Sequence, residues 1–467
     1  MISTTIKREN KNNWNGAECM KKINVLEVCG RLGLGGTEKN MQIITKYLNK
    51  RVFNVSACVL VPGGEREGAF RKMGIRIFHI KSPEEFAKLI KNKNIYVVHF
   101  HASEKHYQTF IRAANEAGAL TIILMDNSGR MFNPEISKLI DRHMISKMIA
   151  IRYKKLYKVL DKDFHKNCRV LYCLVDLDEI EHFHLSSNEI LQEKKKLGIG
   201  PRDLVIGGIG RPDISKWGNF YDMMPYLIKK VPNVKYLVMG VPEAIKEEIR
   251  KRKLDGYFIF LKSDPSDEAV PRFFQLINIY ALSSSSGGES FGLTIAEAMA
   301  CKKPVVVNST PLVDNAQVEL VDNGKTGFVV YSPKAFAEAI AYLASNKAVA
   351  TRMGLAGYAK VKREYEAKKT TKMLEKRILE LLQAKGIGIP KKIFKRYKKI
   401  HYFPSSKDID DFEFEYERRL RDCVGKPDRV KILVGKHVAF SSLMQKFIRS
   451  IRLVNSRNII MKRAEKK

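Results

Sequence analysis

The stretch GGESFGLTIAEAMACKKPVVV, residues 287–307, contains a glycine pair, a run of small apolar residues and then a proline followed by three valines. Another apolar run, INIYALS, precedes it at residues 277–283. This order predicts a strand, a loop, a helix and a second strand, which is the repeating unit of a parallel sheet covered by helices. Glu289 lies just before the predicted helix and Glu297 lies inside it. Both acids therefore belong to the carboxyl edge of a strand, where open α/β sheets bind ligands.

The same alternation extends through two long parts of the chain. Toward the N-terminus, INVLEVCGRLGLGGTEKNMQIITKYLNK (23–50) predicts a strand, a glycine-rich loop and a helix. Further apolar runs follow it: VSACVLV (55–61), IRIFHI (75–80), IYVVHFH (95–101) and LTIILM (120–125). A second series consists of LVIGGIG (204–210), VKYLVMG (234–240), YFIFL (257–261) and the two runs described above. We therefore predict an α/β protein with two facing Rossmann-like domains and a central cleft.

Changes in pattern predict the domain boundaries. The polar residues 1–22 are expected to form a disordered N-terminus. Residues 153–200 break the alternation of strands and helices, so we interpret them as containing the connection between the domains. The prediction is an N-terminal domain at 23–185, a C-terminal domain at 200–386 and a basic C-terminal extension at 387–467.

Composition restricts the class of partner and the compartment. The 467 residues include 84 Lys+Arg against 50 Asp+Glu, so the net charge is 84 − 50 = +34. This excess favours an anionic partner such as nucleic acid, anionic lipid or a nucleotide phosphate, although a basic proteome or a need for solubility would also explain it. Seven scattered cysteines without a C-x-x-C pair argue against a disulfide framework or a zinc site and fit a reducing cytoplasm. No apolar run is long enough for a signal peptide or a membrane span, so we expect a cytoplasmic protein.

The loop and helix around Glu289 have the properties of a phosphate site. The backbone amides of Phe291, Gly292 and Leu293 at the helix start are expected to point outward with the positive end of the helix dipole. Glu297, more than one turn further on, has the chemistry to accept hydrogen bonds from the two hydroxyls of a ribose. The alternative is that both acids only stabilise the first turns of a helix, by a few tenths of a kcal/mol each.

The runs GESFGLTIAEAMACKKPVVVNST and VDNGKTGFVV closely resemble the signature of the family-four retaining glycosyltransferases of the GT-B fold, also called glycosyl transferases group 1. The resemblance covers roughly residues 23 to 385. It implies transfer of a sugar from a nucleotide-diphosphate sugar, with UDP as the expected nucleotide, to a hydroxyl acceptor with retention at the anomeric carbon. It also implies that Glu289 binds the sugar and stabilises charge at the reacting carbon, that Glu297 binds the ribose, and that the N-terminal domain binds the acceptor.

Two further motifs support the resemblance. The stretch IGGIGRPDISKWGNF (206–220) is similar to the family's Gly-Arg and Lys-Gly segment, so Arg211 and Lys216 are expected to clamp the diphosphate; surface cations are the alternative. The loop GRLGLGGTEKNM is similar to the family's N-terminal glycine-rich loop and would place Gly35 and Gly36 across the cleft. Family members work without a metal ion, and nothing here resembles a metal-binding aspartate motif, so we expect no metal and no cofactor beyond the donor substrate.

The N-terminal half contains one agreement with the family and one departure from it. HFHAS (99–103) resembles a cleft segment in which His101 would contact sugar or acceptor, and a packed histidine is the alternative. The family often has Thr-x-His at the end of the next strand, where this chain has Asp126 and Asn127. Asn127 is therefore a second candidate for sugar or acceptor contact, and the departure indicates a subfamily with its own preference.

The extension interleaves aromatic and aliphatic residues with Lys and Arg, as in KKIFKRYKKIHYF (391–403) and FSSLMQKFIRSIRLVNSRNIIMKR (440–463). This pattern fits an anionic membrane surface, and glycosyltransferases of this type often act on lipid-linked acceptors there. A packed appendage with a solvated basic face is an equally good interpretation, and a nucleic-acid-binding tail is a weaker one. We expect a glycan or lipid-linked acceptor in cell-surface polysaccharide or glycolipid synthesis. The rival functions are a nucleotide-sugar epimerase and a non-catalytic basic membrane- or RNA-binding protein on the same scaffold.

Overall fold

The computed structural model describes residues 22–158, 166–217, 220–284, 288–311 and 313–423. The strands in chain order are β1 Ile23–Cys29, β2 Phe53–Val59, β3 Ile77–His79, β4 Val97–His101, β5 Thr121–Asp126, β6 Asp141–Met144, β7 Cys168–Val170, β8 Leu204–Ile209, β9 Val234–Met239, β10 Phe258–Leu261, β11 Ile279–Leu282, β12 Gly288–Glu289, β13 Val305–Asn308, β14 Asp314–Asn315 and β15 Gly327–Val330.

The α-helices among the described residues are α1 Gly36–Tyr47, α2 Glu67–Lys72, α3 Pro83–Asn92, α4 Gln108–Glu116, α5 Pro134–Ser137, α6 Lys147–Tyr157, α7 Leu177–His182, α8 Ser187–Lys196, α9 Ile214–Trp217, α10 Met224–Lys230, α11 Glu243–Lys251, α12 Ala269–Leu276, α13 Leu293–Ala300, α14 Gln317–Leu320, α15 Pro333–Ser345, α16 Lys347–Glu364, α17 Ala367–Ala384, α18 Lys391–Tyr397 and α19 Ser406–Arg421. Short 3₁₀ turns lie at Glu104–His106, Phe220–Met223 and Asp255–Tyr257. None of the described helices combines the length and the apolar character needed to cross a bilayer.

Two parallel sheets form the centres of the two domains. The N-terminal sheet has the order β3-β2-β1-β4-β5-β6-β7 and the C-terminal sheet has the order β10-β9-β8-β11-β13-β15, while β12 and β14 form a small separate pair. Each large sheet reverses its winding direction once, between β1 and β4 and between β8 and β11, which creates a crevice at the carboxyl ends of those strands. The predicted α/β fold with two Rossmann-like domains is confirmed.

Buried apolar residues on both faces explain why the strands are continuous apolar runs. In the N-terminal sheet, Val25, Val97 and Ile123 belong to one core cluster, and Leu26 and Val98 belong to another. Side chains alternate between the faces of a strand, so two clusters mean that helices cover both faces. This is the pattern expected of parallel α/β sheets.

Two strands of the N-terminal sheet do not follow the apolar pattern. β6 has the sequence DRHM, and β7 lies inside the segment interpreted as the domain connection, so neither was predicted. β6 is nevertheless buried because its charges are paired: Arg142 contacts Glu104 and Asp126, and Asp141 contacts Arg377. The connection itself begins only after β7, inside the segment 153–200 that was interpreted as containing it.

The C-terminal domain does not extend to residue 386 as predicted, because the last helix before that residue packs on the N-terminal domain. Helix α17, predicted to belong to the C-terminal domain, packs against α1 and β5 of the N-terminal domain. The chain crosses between the domains twice, and the two crossings run side by side: the Val175 amide donates to Tyr365 O at 2.8 Å and the Ala367 amide donates to Val175 O at 3.0 Å. The reason is the apolar face of α17, which completes the N-terminal core with Leu374, Ile378, Leu379 and Leu382.

The described part of the C-terminal extension is packed rather than free. Helix α19 contacts α6 of the N-terminal domain and α14 of the C-terminal domain. Lys154 Nζ lies 2.9 Å from Asp410 Oδ1, and Arg419 Nη1 lies 3.1 Å from Asp322 Oδ1. For residues 387–423 the packed appendage is therefore the correct interpretation. The amphipathic run at 440–463 and the predicted disordered N-terminus, apart from residue 22, lie outside the described residues.

Candidate active site

The crevices of the two sheets face each other across a cavity of about 160 Å³. Its N-terminal wall is the loop after β1 and the start of α1, and its C-terminal wall is built from the loop after β8, from β12 and from α13. The residues on these walls used below are Gly35, Gly36, Lys39, Arg66, Gly210, Arg211, Lys216, Trp217, Glu289, Leu293 and Glu297.

Glu289 is fixed by two donors from its own domain. Its Oε1 accepts from Lys216 Nζ at 2.8 Å and from Ser284 Oγ at 2.7 Å, and the residue is only 8% exposed. Gly288 before it has φ +61°, and a Cβ there would overlap the backbone carbonyl of Asp314. Only glycine allows β12 to lie this close to β14, and this contact aims the Glu289 carboxylate at the cavity.

The helix α13 begins at the cavity wall. Its N-cap is Gly292, which has the positive φ of +95°. Within the described chain, the amides of Phe291, Gly292 and Leu293 donate to no backbone or side-chain acceptor. The Phe291 ring points away from the cavity and packs against Tyr172 and Tyr365, so only its backbone is available to a ligand. Three free amides at a helix start form a site for an anion.

Glu297 faces the cavity from inside α13 and is 6% exposed. Burial raises the pKa of this carboxyl to about 7, with the positive charges of Lys39 and Arg66 acting in the opposite direction. No hydrogen bond to its carboxylate is formed within the part of the chain that the structure describes. A buried carboxylate with unused acceptor capacity suits a ligand that brings hydroxyl donors.

The two predicted phosphate-binding cations lie on the segment that follows β8, Arg211 in the loop and Lys216 in the short helix α9. Trp217 Nε1 donates to the Arg211 carbonyl at 2.8 Å, and its ring lies directly beneath Gly210, so the indole holds the loop's shape. Arg211 is exposed on the cavity side. A Cβ on Gly35 would lie 3.6 Å from Arg211 Cδ and would overlap the Glu38 carboxylate. The loops of the two domains therefore approach to van der Waals distance at Gly35, and a side chain there would have to displace the Glu38 carboxylate of its own domain.

A charged cluster beside Glu297 was not found from the sequence. Lys39 Nζ lies 2.8 Å from Glu179 Oε2 and 3.1 Å from Asp267 Oδ1, and the latter belongs to the C-terminal domain. Gln42 Nε2 donates to the same Asp267 oxygen at 2.9 Å, and its own carbonyl accepts from Arg66. The only sequence signal was the spacing of Lys39 and Gln42 by three residues directly after the glycine loop. This cluster holds the two walls of the cavity together.

His101 and Asn127 are not among the residues that line the cavity. His101 is buried at the end of β4, and its Nε2 lies 2.6 Å from Glu27 Oε2. Asn127 is half-buried directly after β5. The structure thus brings together the predicted residues Gly35, Gly36, Arg211, Lys216, Glu289 and Glu297 and the three amides, but not these two. A sugar or acceptor contact by His101 or Asn127 stays a prediction.

We compared the chain with models of protein families and with curated proteins. Residues 192–360 match the family model described as glycosyl transferases group 1. Among curated proteins, the chain is 29% identical over 222 residues to trehalose synthase of Thermococcus litoralis, which covers 44% of this chain and 50% of that protein. The chain thus spans about half the length of the curated relatives it matches.

Solved structures match over a longer region. A glycosyltransferase from Rickettsia africae superposes with a TM-score of 0.66 at 19% identity, covering 78% of this chain and 99% of that one. HepE of Anabaena, in complex with UDP and glucose, superposes with a TM-score of 0.63 at 16% identity, covering 77% of this chain and 100% of that one. At these identities the superpositions establish the fold, which is that of the GT-B glycosyltransferases.

Proposed function

We propose that this chain, which has the GT-B fold, is a group 1 glycosyltransferase that transfers a sugar from a nucleotide-diphosphate sugar to a hydroxyl acceptor. The observation that carries the proposal is the joint position of Lys216, Glu289 and Glu297 on one wall of a cavity whose other wall is the glycine loop. The cations and the free amides suit the phosphates of a donor. Glu289 suits its sugar, and Glu297 suits its ribose.

UDP is the nucleotide we propose. It is supported by the resemblance of the motifs and by the similarly folded HepE, which has been solved with UDP and glucose. In the proposed complex, Arg211, Lys216 and the amides at residues 291–293 hold the diphosphate. Glu297 accepts hydrogen bonds from the ribose hydroxyls, and Glu289 accepts from hydroxyls of the sugar.

The proposed reaction proceeds with retention by attack on the same face of the sugar. The bond from the anomeric carbon to the phosphate oxygen breaks, the bond to the acceptor oxygen forms, and the acceptor proton passes to the departing phosphate. Charge that develops on the leaving diphosphate is met by Lys216, Arg211 and the amides, which are already in place before the reaction. The Glu289 carboxylate stabilises positive charge at the reacting carbon. Fixed protein donors supply this stabilisation, so we propose transfer without a metal ion.

A binding experiment tests the donor site first. Thermal unfolding of the full-length protein is followed with UDP and GDP in the presence of EDTA, and ligand at about a hundred times its dissociation constant adds about 2.7 kcal/mol of stability. We expect UDP to stabilise the wild type and Glu338→Ala, whose residue is exposed on α15, but not Glu297→Ala. If no nucleotide stabilises the wild type, the non-catalytic scaffold becomes the better hypothesis.

A turnover experiment then separates transfer from its rivals. UDP-sugars are incubated with and without glycan and lipid-linked acceptors, and the products are analysed by NMR. Transfer with retention requires an acceptor and keeps the anomeric configuration of the donor. Isomerised or free sugar formed at the same rate without acceptor would support the epimerase instead, and an inverted product would exclude same-face attack.

For the acceptor we propose a glycan or lipid-linked hydroxyl in cell-surface polysaccharide or glycolipid synthesis, on the cytoplasmic side of a membrane. The support is the net charge of +34 and the sequence of residues 440–463, in which basic and apolar residues are interleaved. Flotation of the protein with vesicles containing phosphatidylglycerol tests this, with phosphatidylcholine vesicles and RNA as comparisons. Binding to RNA alone would contradict the membrane assignment.

A further inference from the structure

Three metal-binding side chains meet on one face of the N-terminal sheet. Glu27 of β1 lies opposite His99 of β4 in the strand register, and His101 follows two residues later, on the same face. All three are buried, with exposures of 0%, 0% and 1%. In the part of the chain that the structure describes, no other three His, Cys, Asp or Glu residues are arranged so that they could share an ion.

The donor atoms converge, and one pair of them, His101 Nε2 and Glu27 Oε2, is hydrogen-bonded. His101 Nε2 lies 2.6 Å and His99 Nδ1 lies 3.0 Å from the same Glu27 oxygen, Oε2, and one donor atom from each residue falls within 4.8 Å of the others. The contact of His99 Nδ1 lacks hydrogen-bond geometry although its distance is short. The two imidazole rings are 4.3 Å apart. A single carboxylate oxygen of Glu27 therefore faces a nitrogen of each ring.

Polar atoms without a hydrogen-bond partner are concentrated in the layer of the core between this face of the sheet and the helices α1 and α17. Within the described residues, Glu27 Oε1, both ring nitrogens of His99 and Nδ1 of His101 have no hydrogen-bond partner. Three buried threonine hydroxyls of the helices α1 and α17, which pack over this side of the sheet, also lack one: Thr45, Thr370 and Thr371. Each unsatisfied buried group costs about 1–3 kcal/mol, so such a set indicates an occupant of the site.

The charge of the cluster points to the kind of occupant. A carboxylate that is fully buried needs a compensating positive charge. Lys50, the lysine that interacts electrostatically with Glu27, donates its Nζ hydrogen bond to the Thr45 carbonyl instead. Two imidazoles and one carboxylate are a set that divalent first-row ions accept, and Zn²⁺ binds such nitrogen and oxygen atoms at about 2.0–2.2 Å.

We propose that Glu27, His99 and His101 form a binding site for a divalent transition-metal ion of the Zn²⁺ class. The site is distinct from the proposed donor site, because none of its three residues lines the cavity between the domains. It joins β1 to β4 at the point where the sheet reverses its winding, shortly before the glycine loop begins. The ion is a structural element of the N-terminal domain and takes no part in sugar transfer.

Metal analysis of the full-length protein tests the site. After dialysis to remove loosely bound ions, we expect the wild type to contain about one equivalent of Zn²⁺ by mass spectrometry. Glu27→Gln and His101→Ala lose this ion. The matched control is His143→Ala, because His143 is also buried on this face but is bound to Asp141 at 2.7 Å through Nε2. The control is expected to keep the ion.

Cobalt substitution keeps the test decisive if the alanine variant does not fold. Wild-type protein stripped with a strong chelator is titrated with Co²⁺, which should give visible absorption bands of a bound ion that Zn²⁺ displaces. His101→Cys retains a ligand and should shift these bands by adding a thiolate. Folded, stripped wild type that takes up neither Co²⁺ nor Zn²⁺ overturns the proposal, as does metal content unchanged by Glu27→Gln. The layer would then hold ordered water.

Discussion

Glu289 and Glu297 are eight positions apart and have opposite surroundings. Glu289 is held by the Lys216 ammonium and the Ser284 hydroxyl, both on the same carboxylate oxygen. Glu297 is buried, and its pKa is raised to about 7 by desolvation. One acid is therefore orientated before any ligand arrives, while the other titrates near neutral pH.

The raised pKa of Glu297 predicts a pH-dependent stability. Its folded value of about 7 lies above the ordinary 4.5, so the folded protein holds the proton more tightly than the unfolded chain between these values. The stability contributed by the protonated form is therefore lost as the pH rises from about 4.5 to about 7. At 1.36 kcal/mol per pKa unit the loss amounts to about 3 kcal/mol. Glu297→Gln should be more stable than the wild type at pH 8 and nearly equal to it at pH 5.

Chemical denaturation of both proteins between pH 5 and pH 8 measures this difference. Glu338→Ala, which changes an exposed carboxylate, serves as the control and should follow the wild type at every pH. A constant difference between Glu297→Gln and the wild type over the whole range would show that Glu297 titrates normally in the folded protein.

Ser284 is a positioning residue for Glu289, and no sequence pattern selected it. Ser284→Ala removes one hydrogen bond of about 1–1.5 kcal/mol from the carboxylate, so we expect kcat to fall about five- to tenfold with little change in KM for the donor. Ser283→Ala, one position earlier, should leave both constants unchanged. A rise in KM with constant kcat would instead indicate that Ser284 contributes only to ground-state binding.

The sequence predicted those site residues that lie close together along the chain in a recognisable motif. Glu289 and Glu297 lie on one loop and the helix after it, and Arg211 and Lys216 lie on one short segment after β8, so local motifs and their resemblance to the family were enough to select them. The contact of Lys39 with Asp267 joins residues 228 positions apart, and no local pattern records it. His101 has the expected position at the carboxyl end of a strand, but its place against Glu27 in the core could not be read from that position.

Among the elements, β12 depends on one glycine. Gly288→Ala places a Cβ against the Asp314 carbonyl at a backbone φ of +61°, and neither backbone can move freely because β12 and β14 are paired. The conformation costs about 1–2 kcal/mol and the overlap about 1–3 kcal/mol more. Gly74→Ala has a similar φ of +71° but no atom within 4 Å, so it should show only the first cost. Urea unfolding of both variants measures the loss in free energy of unfolding, and the difference between them is the cost of the overlap with Asp314. Equal losses in the two variants would show that the overlap has no cost.

The apolar runs predicted ten of the thirteen strands of the two sheets, all but β6, β7 and β15, and they could not show where every helix packs. β6 was missed because its burial depends on charges paired with distant residues such as Glu104 and Arg377. Helix α17 was recognised as a helix packed against something, yet its amphipathic pattern is compatible with either domain. Its place on the N-terminal core follows only from the return of the chain beside Val175.

In the whole molecule, Asp267 links the two domains across the cavity. Its Oδ1 accepts from Lys39 and Gln42 of the N-terminal domain, and its side chain is about half exposed, so the contact is worth about 1 kcal/mol. Asp267→Ala should shift the population toward an open cleft about fivefold, seen as a larger radius of gyration in X-ray scattering. Glu268→Ala removes an acid that pairs with Arg272 of its own helix and should leave the radius unchanged. An unchanged radius of gyration for Asp267→Ala would show that the contacts of Asp267 do not stabilise the closed cleft.

The helix α19 gives the extension a role in joining the domains. It lies across α6 and α14, and its buried side chains recur at helical spacing: Ile409, Phe412, Tyr416 and Leu420. Phe412 is 2% exposed, whereas Phe414 on the opposite face is 90% exposed. Phe412→Ala is therefore expected to lower the free energy of unfolding by about 3–5 kcal/mol, and Phe414→Ala by less than about 0.5 kcal/mol.

Denaturant unfolding combined with limited proteolysis separates two ways in which Phe412→Ala can act. If α19 clamps the domains, the variant unfolds at lower denaturant and trypsin cleaves first among the arginines at residues 418–421, because the released helix exposes them. If the helix merely covers one domain, cleavage occurs there but the main transition stays in place. Equal behaviour of the two phenylalanine variants would mean that the helix does not stabilise the molecule at all. The comparison thus decides whether the extension belongs to the fold that holds the cavity closed.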